Sequence, residues 1–182
     1  MSDIIIKQSG AEDIPVIENI LLEVVNWLES INQPLWNPAQ VKWERLSKQF
    51  SPDNFYIAYI DNIPAGCMAL VDYDPFFWPD IEKGDSLFIH KLAVRRFAAG
   101  KGISTALFEY AADKCREKNI KTLRLDTDGN RKKVVKVYED FGFVRVNERT
   151  VYINNNAYFV SFMVYDLANT NQNLAVNQNA LQ

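Results

Sequence analysis

The chain has 182 residues, 48% of them hydrophobic and 13% aromatic, and its formal net charge is −3. This composition excludes a disordered chain, and the slight acidic excess argues against a nucleic-acid-binding protein, which usually has an excess of basic residues. The N-terminal sequence lacks the charged start and long apolar stretch of a signal peptide, and no apolar stretch is long enough to span a membrane. We therefore expect a cytoplasmic protein that neither binds nucleic acid nor enters a membrane.

Few side chains are available as metal ligands. The chain has two cysteines and one histidine, which are Cys67, Cys115 and His90, and they are far apart in the sequence. A zinc site needs a closely spaced set of such ligands, so we expect no metal site. Both cysteines stand in apolar sequence typical of buried, reduced thiols.

The first half of the chain predicts a strand, two helices and a strand pair. A β-branched run predicts a strand over Ile4–Lys7. Apolar residues at helical spacing predict an amphipathic helix that ends near Ser30. These apolar residues are Ile17, Ile20, Leu21, Val24, Val25 and Leu28. After a proline-rich break, a second helix is expected over Pro38–Phe50. Strands over Phe55–Ile60 and Ala65–Tyr73 then flank a polar turn of four residues.

An aromatic loop over residues 74–84 opens the second half, and its two phenylalanines and tryptophan either wall a ligand pocket or cap the core. Acidic side chains in the same loop suit a cationic amine. A strand over Leu87–Val94, a glycine turn and a helix over Ser104–Glu117 follow. The next strand, Ile120–Asp126, completes a strand–helix–strand unit typical of parallel pairing.

The last elements are a helix and two strands. The helix is expected over Lys132–Phe141, and Gly142 suits its C-terminal end. The strands are expected over Phe143–Asn147 and Ala157–Leu167, with an asparagine-rich turn between them.

The glycine turn before the second-half helix has the features of an anion site. Gly100 and Gly102 have no Cβ, so an anion can approach the backbone closely. The first N–H groups of the following helix have no partner within the helix, and the helix dipole adds partial positive charge there. Lys101 adds a full charge. The turn matches neither the Walker A nor the Rossmann pattern, and a glycine turn also serves as a simple chain reversal.

Four segments make the interpretation more specific. IHKLAV, AGKGIS, LRLDT and KVVKVYEDFGF stand in this order between Ile89 and Phe143. This combination resembles motifs A and B of the GCN5-related N-acetyltransferase (GNAT) family, and the predicted elements match the family order over roughly residues 3–168. The resemblance implies a mixed, mostly antiparallel sheet of seven strands flanked by four helices and splayed between strands four and five. It implies an acetyltransferase domain over residues 1–168 and leaves residues 169–182 as an Asn/Gln-rich tail.

The resemblance also implies acetyl-CoA as cosubstrate and an amine as acceptor. The oligomeric state is left open, with a homodimer as one alternative. The backbone of the fourth strand, the glycine turn and motif B would contact the cosubstrate. The implied residues are Leu92, Ala93, Val94, Ala99, Gly100, Lys101, Gly102, Ile103, Ser104, Thr105, Arg131, Lys133 and Tyr138. Ala99 departs from the family's Gln or Arg, and we expect Arg95, Arg96 or Lys101 to replace that side chain. Because backbone amides do most of the binding, the site persists.

For the reaction, the resemblance implies direct attack of an amine on the acetyl thioester. Tyr138 matches the family tyrosine that donates a proton to the leaving thiolate, although Tyr138 and Phe141 also have the spacing of two core aromatics. The N–H of Val94 or a neighbour would stabilise the oxyanion. Strand alternation would place residues 90, 92 and 94 on one face.

The base that takes the amine proton is left open. The candidates are Glu23, Glu82, Asp85, His90, Asp126 and water. Two alternatives to acetyl transfer also stay open, which are a non-catalytic acyl-CoA-binding module and a transferase for another acyl group.

Overall fold

The computed structural model describes residues 3–153 and 155–168. Seven strands form the sheet, and they are β1 (Ile4–Gln8), β2 (Phe55–Ile60), β3 (Ile63–Val71), β4 (Ser86–Val94), β5 (Thr122–Asp128), β6 (Val144–Ile153) and β7 (Asn156–Asp166). The helices are α1 (Ile14–Ser30), α2 (Trp43–Leu46), α3 (Ile103–Glu117) and α4 (Lys132–Phe141). The strand order is β1-β2-β3-β4-β5-β7-β6. The predicted mixed sheet of seven strands with four helices is therefore confirmed.

The described residues separate into two compact units. The first comprises residues 3–71 and 89–110, and the second comprises residues 72–88, 111–153 and 155–168. No helix among the described residues is long and apolar enough to cross a membrane. The predicted tail over residues 169–182 lies outside the described residues, and the domain boundary at residue 168 stays a prediction.

Helix α1 supplies one side of the core of the first unit. The six apolar residues predicted from its spacing are all buried. They pack in one cluster with residues of β2, β3 and β4, including Ile57, Cys67, Ala69 and Ala93. The amphipathic helix prediction is confirmed, because burial of one apolar stripe is what fixes such a helix to a sheet.

The predicted helix over Pro38–Phe50 is wrong in extent. The chain forms a 3-10 turn over Pro38–Val41, and then the four-residue helix α2. Lys42 between them has extended backbone angles, φ −76° and ψ 144°. A carboxylate oxygen of Glu18 on α1 accepts a hydrogen bond from the Trp43 N–H, which caps α2 from another element. This tertiary contact is why local spacing overestimated the helix.

The turn between β2 and β3 is shorter than predicted. Ile60 and Ile63 pair directly, so only Asp61 and Asn62 form the loop. Both have left-handed φ values, 50° and 63°. This is the pattern of a two-residue type I′ hairpin, which matches the natural twist of the strands. Pro64 therefore belongs to β3 and not to the turn.

In the second unit, β5 pairs parallel with β4 and antiparallel with β7. The parallel ladder joins only Ser86–Phe88 to Thr122–Arg124. The parallel strand–helix–strand unit is thereby confirmed.

Helix α4 has its predicted bounds, and Gly142 ends it with a φ of 116°. Strand β6 is twice as long as predicted, since it extends to Ile153. Most of its residues are exposed, because β6 is the edge strand of the sheet. Its polar stretch is held by pairing with β7 rather than by burial.

Candidate active site

The glycine turn lies in the first unit and begins α3. The Ala106 N–H donates to the carbonyl of Gly102 at 3.0 Å. Gly102 is therefore the last residue before the helix, and the N–H groups of residues 103–105 precede the first hydrogen bond within α3. The helix starts at Ile103, one residue before the predicted Ser104, and ends at Glu117 as predicted. Three consecutive donors thus converge at the positive end of a fifteen-residue helix dipole.

Both glycines of the turn have left-handed backbones and open surroundings. Gly100 has φ 76° and Gly102 has φ 82°. A Cβ placed on Gly100 would meet no atom within 4 Å, and one on Gly102 would meet only Ile4 Cδ1 at 4.0 Å. No described side chain of the first unit therefore fills the space against these two Cα atoms. This open backbone fits the phosphates that the sequence predicts here.

A third glycine holds the turn in place from β3. A Cβ on Gly66 would lie 2.7 Å from the Ala93 carbonyl oxygen and 2.8 Å from Ile103 Cγ2. The Arg95 N–H also donates to the Ala65 carbonyl at 2.8 Å. The end of β4, the start of α3 and β3 are therefore in direct contact. Sequence reasoning missed Gly66, since nothing local to it indicates this close approach.

The two arginines before the turn are tied to α1. Arg95 Nη1 lies 3.2 Å from Glu23 Oε2, and the Arg96 N–H donates to Glu23 Oε1 at 3.1 Å. The Arg96 guanidinium lies 3.9 Å from the centre of the Trp27 ring. These contacts occupy both oxygens of the Glu23 carboxylate. Lys101, whose Nζ lies 5.7 Å from the Phe97 ring, is the more suitable replacement for the side chain missing at Ala99.

Strand β4 does not keep a simple alternation. Lys91 has a left-handed φ of 51°, which is rare for a side chain of this kind within a strand. The His90 ring lies 5.7 Å from the Phe50 ring, and Phe50 belongs to the same buried cluster as Ala93. Residues 90 and 93 thus share a side, so the prediction that His90 shares a face with Leu92 and Val94 is wrong. The irregularity at Lys91 interrupts the two-residue period.

Tyr138 lies in the second unit, on the buried side of α4. Its side chain is 8% exposed, and its ring is edge-on to Phe143 with centroids 6.0 Å apart. Burial, and then the negative charge of Asp126, raise the pKa of the Tyr138 phenol, while a hydrogen bond with the Thr127 side chain opposes them. The phenol is therefore protonated throughout the physiological range. Its surroundings are those of a core aromatic with a polar end.

The other predicted residues of the second unit are less enclosed. Arg131 Nε lies 3.4 Å from Asp128 Oδ2, and the Arg131 side chain is largely buried. Lys133, Glu82 and Asp85 are exposed. Asp126 is half-buried on β5. The structure thus brings Asp126 close to Tyr138 and leaves Glu82 and Asp85 at the surface.

The aromatic loop covers the core and also lines a cavity. Trp78 is buried, with its ring 6.3 Å from Phe88 and 5.2 Å from Phe162. A cavity of about 210 Å³ lies between this loop and the sheet. Two arginines, Arg124 and Arg149, line it, which the acidic loop sequence did not indicate.

The comparisons with known proteins agree with this geometry. The model of the acetyltransferase (GNAT) family matches residues 21–143, so the chain belongs to this family. A GNAT-family acetyltransferase from Listeria monocytogenes has the same fold, with a TM-score of 0.71 at 16% identity over 90% of this chain and 95% of that chain. A GCN5-related N-acetyltransferase from Rhodopseudomonas palustris gives a TM-score of 0.69 at 19% identity over 92% of this chain and 98% of that chain. No curated protein matches this sequence.

Proteins of this family transfer acetyl groups and use acetyl-CoA as the cosubstrate, so membership supports an acetyltransferase activity of this general kind. The structural neighbours share too little sequence to indicate more than the fold.

Proposed function

We propose that this protein transfers the acetyl group of acetyl-CoA to a primary amine of a small molecule or peptide. The observation that carries the proposal is the open glycine turn at the start of α3. The family supplies the donor, and the turn supplies a place for its charged end. The described residues include no second helix of comparable length that begins after two left-handed glycines.

In this proposal, the backbone N–H groups of residues 103–105 bind the diphosphate of acetyl-CoA. Gly100 and Gly102 let the phosphates approach the main chain, since no side chain of the described residues blocks either Cα. Lys101 adds a positive charge, and the Ser104 and Thr105 hydroxyls stand where a helix start can offer further donors. Leu92, Ala93 and Val94 offer their backbone to the pantetheine arm.

The reaction is attack of a neutral amine nitrogen on the thioester carbon. The new C–N bond forms, the C–S bond breaks, the amine gives up one proton, and the sulfur leaves as a thiolate that is then protonated. A lysine-like amine is mostly protonated at neutral pH, with a pKa near 10.4, so a base or a water chain must first remove a proton. We assign the oxyanion contact to the Val94 N–H.

We assign Tyr138 to the departing sulfur. In water, complete proton transfer from a phenol to a thiolate is uphill by about 2 kcal/mol, because their pKa values are near 10 and 8.5. Since burial raises the pKa of Tyr138 further, complete transfer becomes costlier. Tyr138 therefore contributes mainly a hydrogen bond to the developing thiolate, which it can donate at any working pH.

The proposal is tested with a panel of primary amines, by following free thiol release and the mass of the products. Acetyl-CoA and succinyl-CoA are supplied together, so that the acyl group transferred is read directly. We expect acetylated amine and free CoA in equal amounts. Binding of acetyl-CoA without turnover on any amine would favour a non-catalytic module, and succinylated product would favour another acyl donor.

A further inference from the structure

The cavity under the aromatic loop is lined by two arginines, although the loop itself is acidic. It lies between residues 77–81 and one face of the strands β5, β7 and β6. Across these strands, Asp126 pairs with Phe162, and Phe162 pairs with Asn147. Directly paired residues share a face, so the sheet presents one row of side chains to this cavity.

Two guanidinium groups are held against the aromatic walls of the cavity. Arg124 lies 4.9 Å from the centre of the Trp78 ring, and Arg149 lies 4.6 Å from the centre of the Phe162 ring. Because the Trp78 and Phe162 rings also contact each other edge to face, the four side chains form one continuous cluster. Stacking fixes the plane of a guanidinium and leaves its edge free to bind an anion.

Within the described part of the chain, one side-chain hydrogen bond positions each arginine. Arg124 Nε donates to Ser86 Oγ at 2.8 Å, and Arg149 Nη2 donates to the Phe77 carbonyl at 3.1 Å. Among residues 3–153 and 155–168, neither guanidinium has an ion-pair partner. The lining carboxylate, Asp80, is exposed and pairs with neither. Most of the five N–H donors of each guanidinium are therefore uncommitted.

The neighbouring arginine on β6 shows the contrast. Arg145 lies 2.9 Å from Glu139 and 3.0 Å from Glu148. It is a surface side chain whose charge is already neutralised by two carboxylates. Arg124, by contrast, is half-buried without such a partner, and burial lowers its pKa. A bound anion would restore the missing interaction of the guanidinium.

The cavity is also close to the proposed reaction centre of the second unit. Arg124 precedes Asp126 by two residues on β5, so the two side chains share a face about 7 Å apart. The Asp126 carboxylate is near enough to the Tyr138 phenol to raise its pKa. At about 210 Å³, the cavity suits one polar end of a small molecule.

We infer that the acceptor amine also carries an anionic oxygen group, a carboxylate in the simplest case, which Arg124 and Arg149 bind in this aromatic cavity. The inference rests on the proposed acetyl transfer and names the acceptor class. It adds an anionic group to the expectation from the loop sequence, whose acidic residues suited a cationic amine.

The test uses two acceptors that differ only in the anion, 4-(aminomethyl)benzoate and 4-(aminomethyl)benzamide. Thiol release should show at least a tenfold higher kcat/KM for the benzoate, as expected for a charge-assisted pair. The preference should fall below threefold in the double variant Arg124→Gln, Arg149→Gln. It should persist in the control Arg145→Gln, because that arginine lies outside the cavity.

A binding measurement makes the inference independent of turnover and of how the variants fold. Benzoate should quench tryptophan fluorescence of the unaltered protein at a concentration at least tenfold lower than benzamide, and Trp78→Phe should remove that response. Equal affinity for the two probes, or a benzoate preference that survives the double variant, would overturn the inference. Selective benzoate binding without acetylation of any amine would instead contradict the proposed function and leave the anion site standing.

Discussion

Replacing Gly100 by alanine separates the backbone role of the turn from its packing. Gly100 has a φ of 76°, where a residue with a Cβ costs about 1–2 kcal/mol. Since the added Cβ would meet no described atom within 4 Å, the substitution destabilises the folded protein by backbone strain alone and introduces no steric clash. The methyl group, however, projects where we place the diphosphate. We expect affinity for acetyl-CoA to fall at least tenfold, which is about 1.4 kcal/mol.

The chain offers a matched control for this experiment. Gly84 has a φ of 91°, and a Cβ there would also meet nothing within 4 Å. Gly84→Ala therefore carries the same backbone strain without touching the turn. Both variants should lower the midpoint temperature of thermal unfolding by similar amounts. In a protein of this size, each kcal/mol of lost stability lowers this temperature by roughly 2–4 °C.

Thermal unfolding with and without acetyl-CoA then measures how much the ligand stabilises each variant. A ligand at one hundred times its dissociation constant stabilises a protein by about 2.7 kcal/mol, and tenfold weaker binding reduces this to about 1.4 kcal/mol at the same concentration. We expect this reduction in Gly100→Ala only. If both variants keep the full stabilisation by acetyl-CoA, the turn does not bind the diphosphate.

Two further substitutions and one labelling experiment test other features of the structure. Tyr138→Phe should lower kcat at least tenfold and leave acetyl-CoA affinity within threefold, as judged by thiol release and calorimetry, and unchanged turnover would refute the assignment. Gly66→Ala should destabilise the fold by about 1–3 kcal/mol in urea unfolding, because the added Cβ would lie 2.7 Å from the backbone oxygen of Ala93. A smaller loss of stability than that of Gly84→Ala would contradict this packing. Burial raises the pKa of Cys67 and Cys115 to about 12, so iodoacetamide at pH 8 should label neither thiol until the protein unfolds. Because these pKa values are raised in the folded state, the unfolded protein loses its thiol protons at a lower pH than the folded protein does. The contribution of the two thiols to the free energy of unfolding is therefore fully present below pH 9 and is lost as the pH rises toward 12.

The elements predicted well were those with strong local signals. Three features depend only on residues nearby in the sequence. They are the apolar stripe of α1, the glycine turn before α3 and Gly142 after α4. Their positions follow from helix periodicity and from the backbone preferences of glycine. The family resemblance added the mixed, mostly antiparallel arrangement of the sheet, which local signals do not contain.

The features that the sequence did not reveal depend on distant residues. The short helix α2 depends on the cap from Glu18, and the length of β6 depends on pairing with β7. The left-handed backbone of Lys91 moved His90 away from its expected face. The stack of Arg124 and Arg149 on aromatic rings requires the register of three strands, which no spacing along the chain indicates.

The central claim is that main-chain N–H groups at the start of α3 bind the diphosphate of acetyl-CoA. Amide proton–nitrogen NMR spectra of the labelled protein test it most directly, during titration with acetyl-CoA and separately with pantetheine, which has no phosphate. We predict that the signals of residues 100–105 shift with acetyl-CoA and stay in place with pantetheine. Saturating acetyl-CoA that leaves these signals unmoved, while shifting others, would contradict the claim.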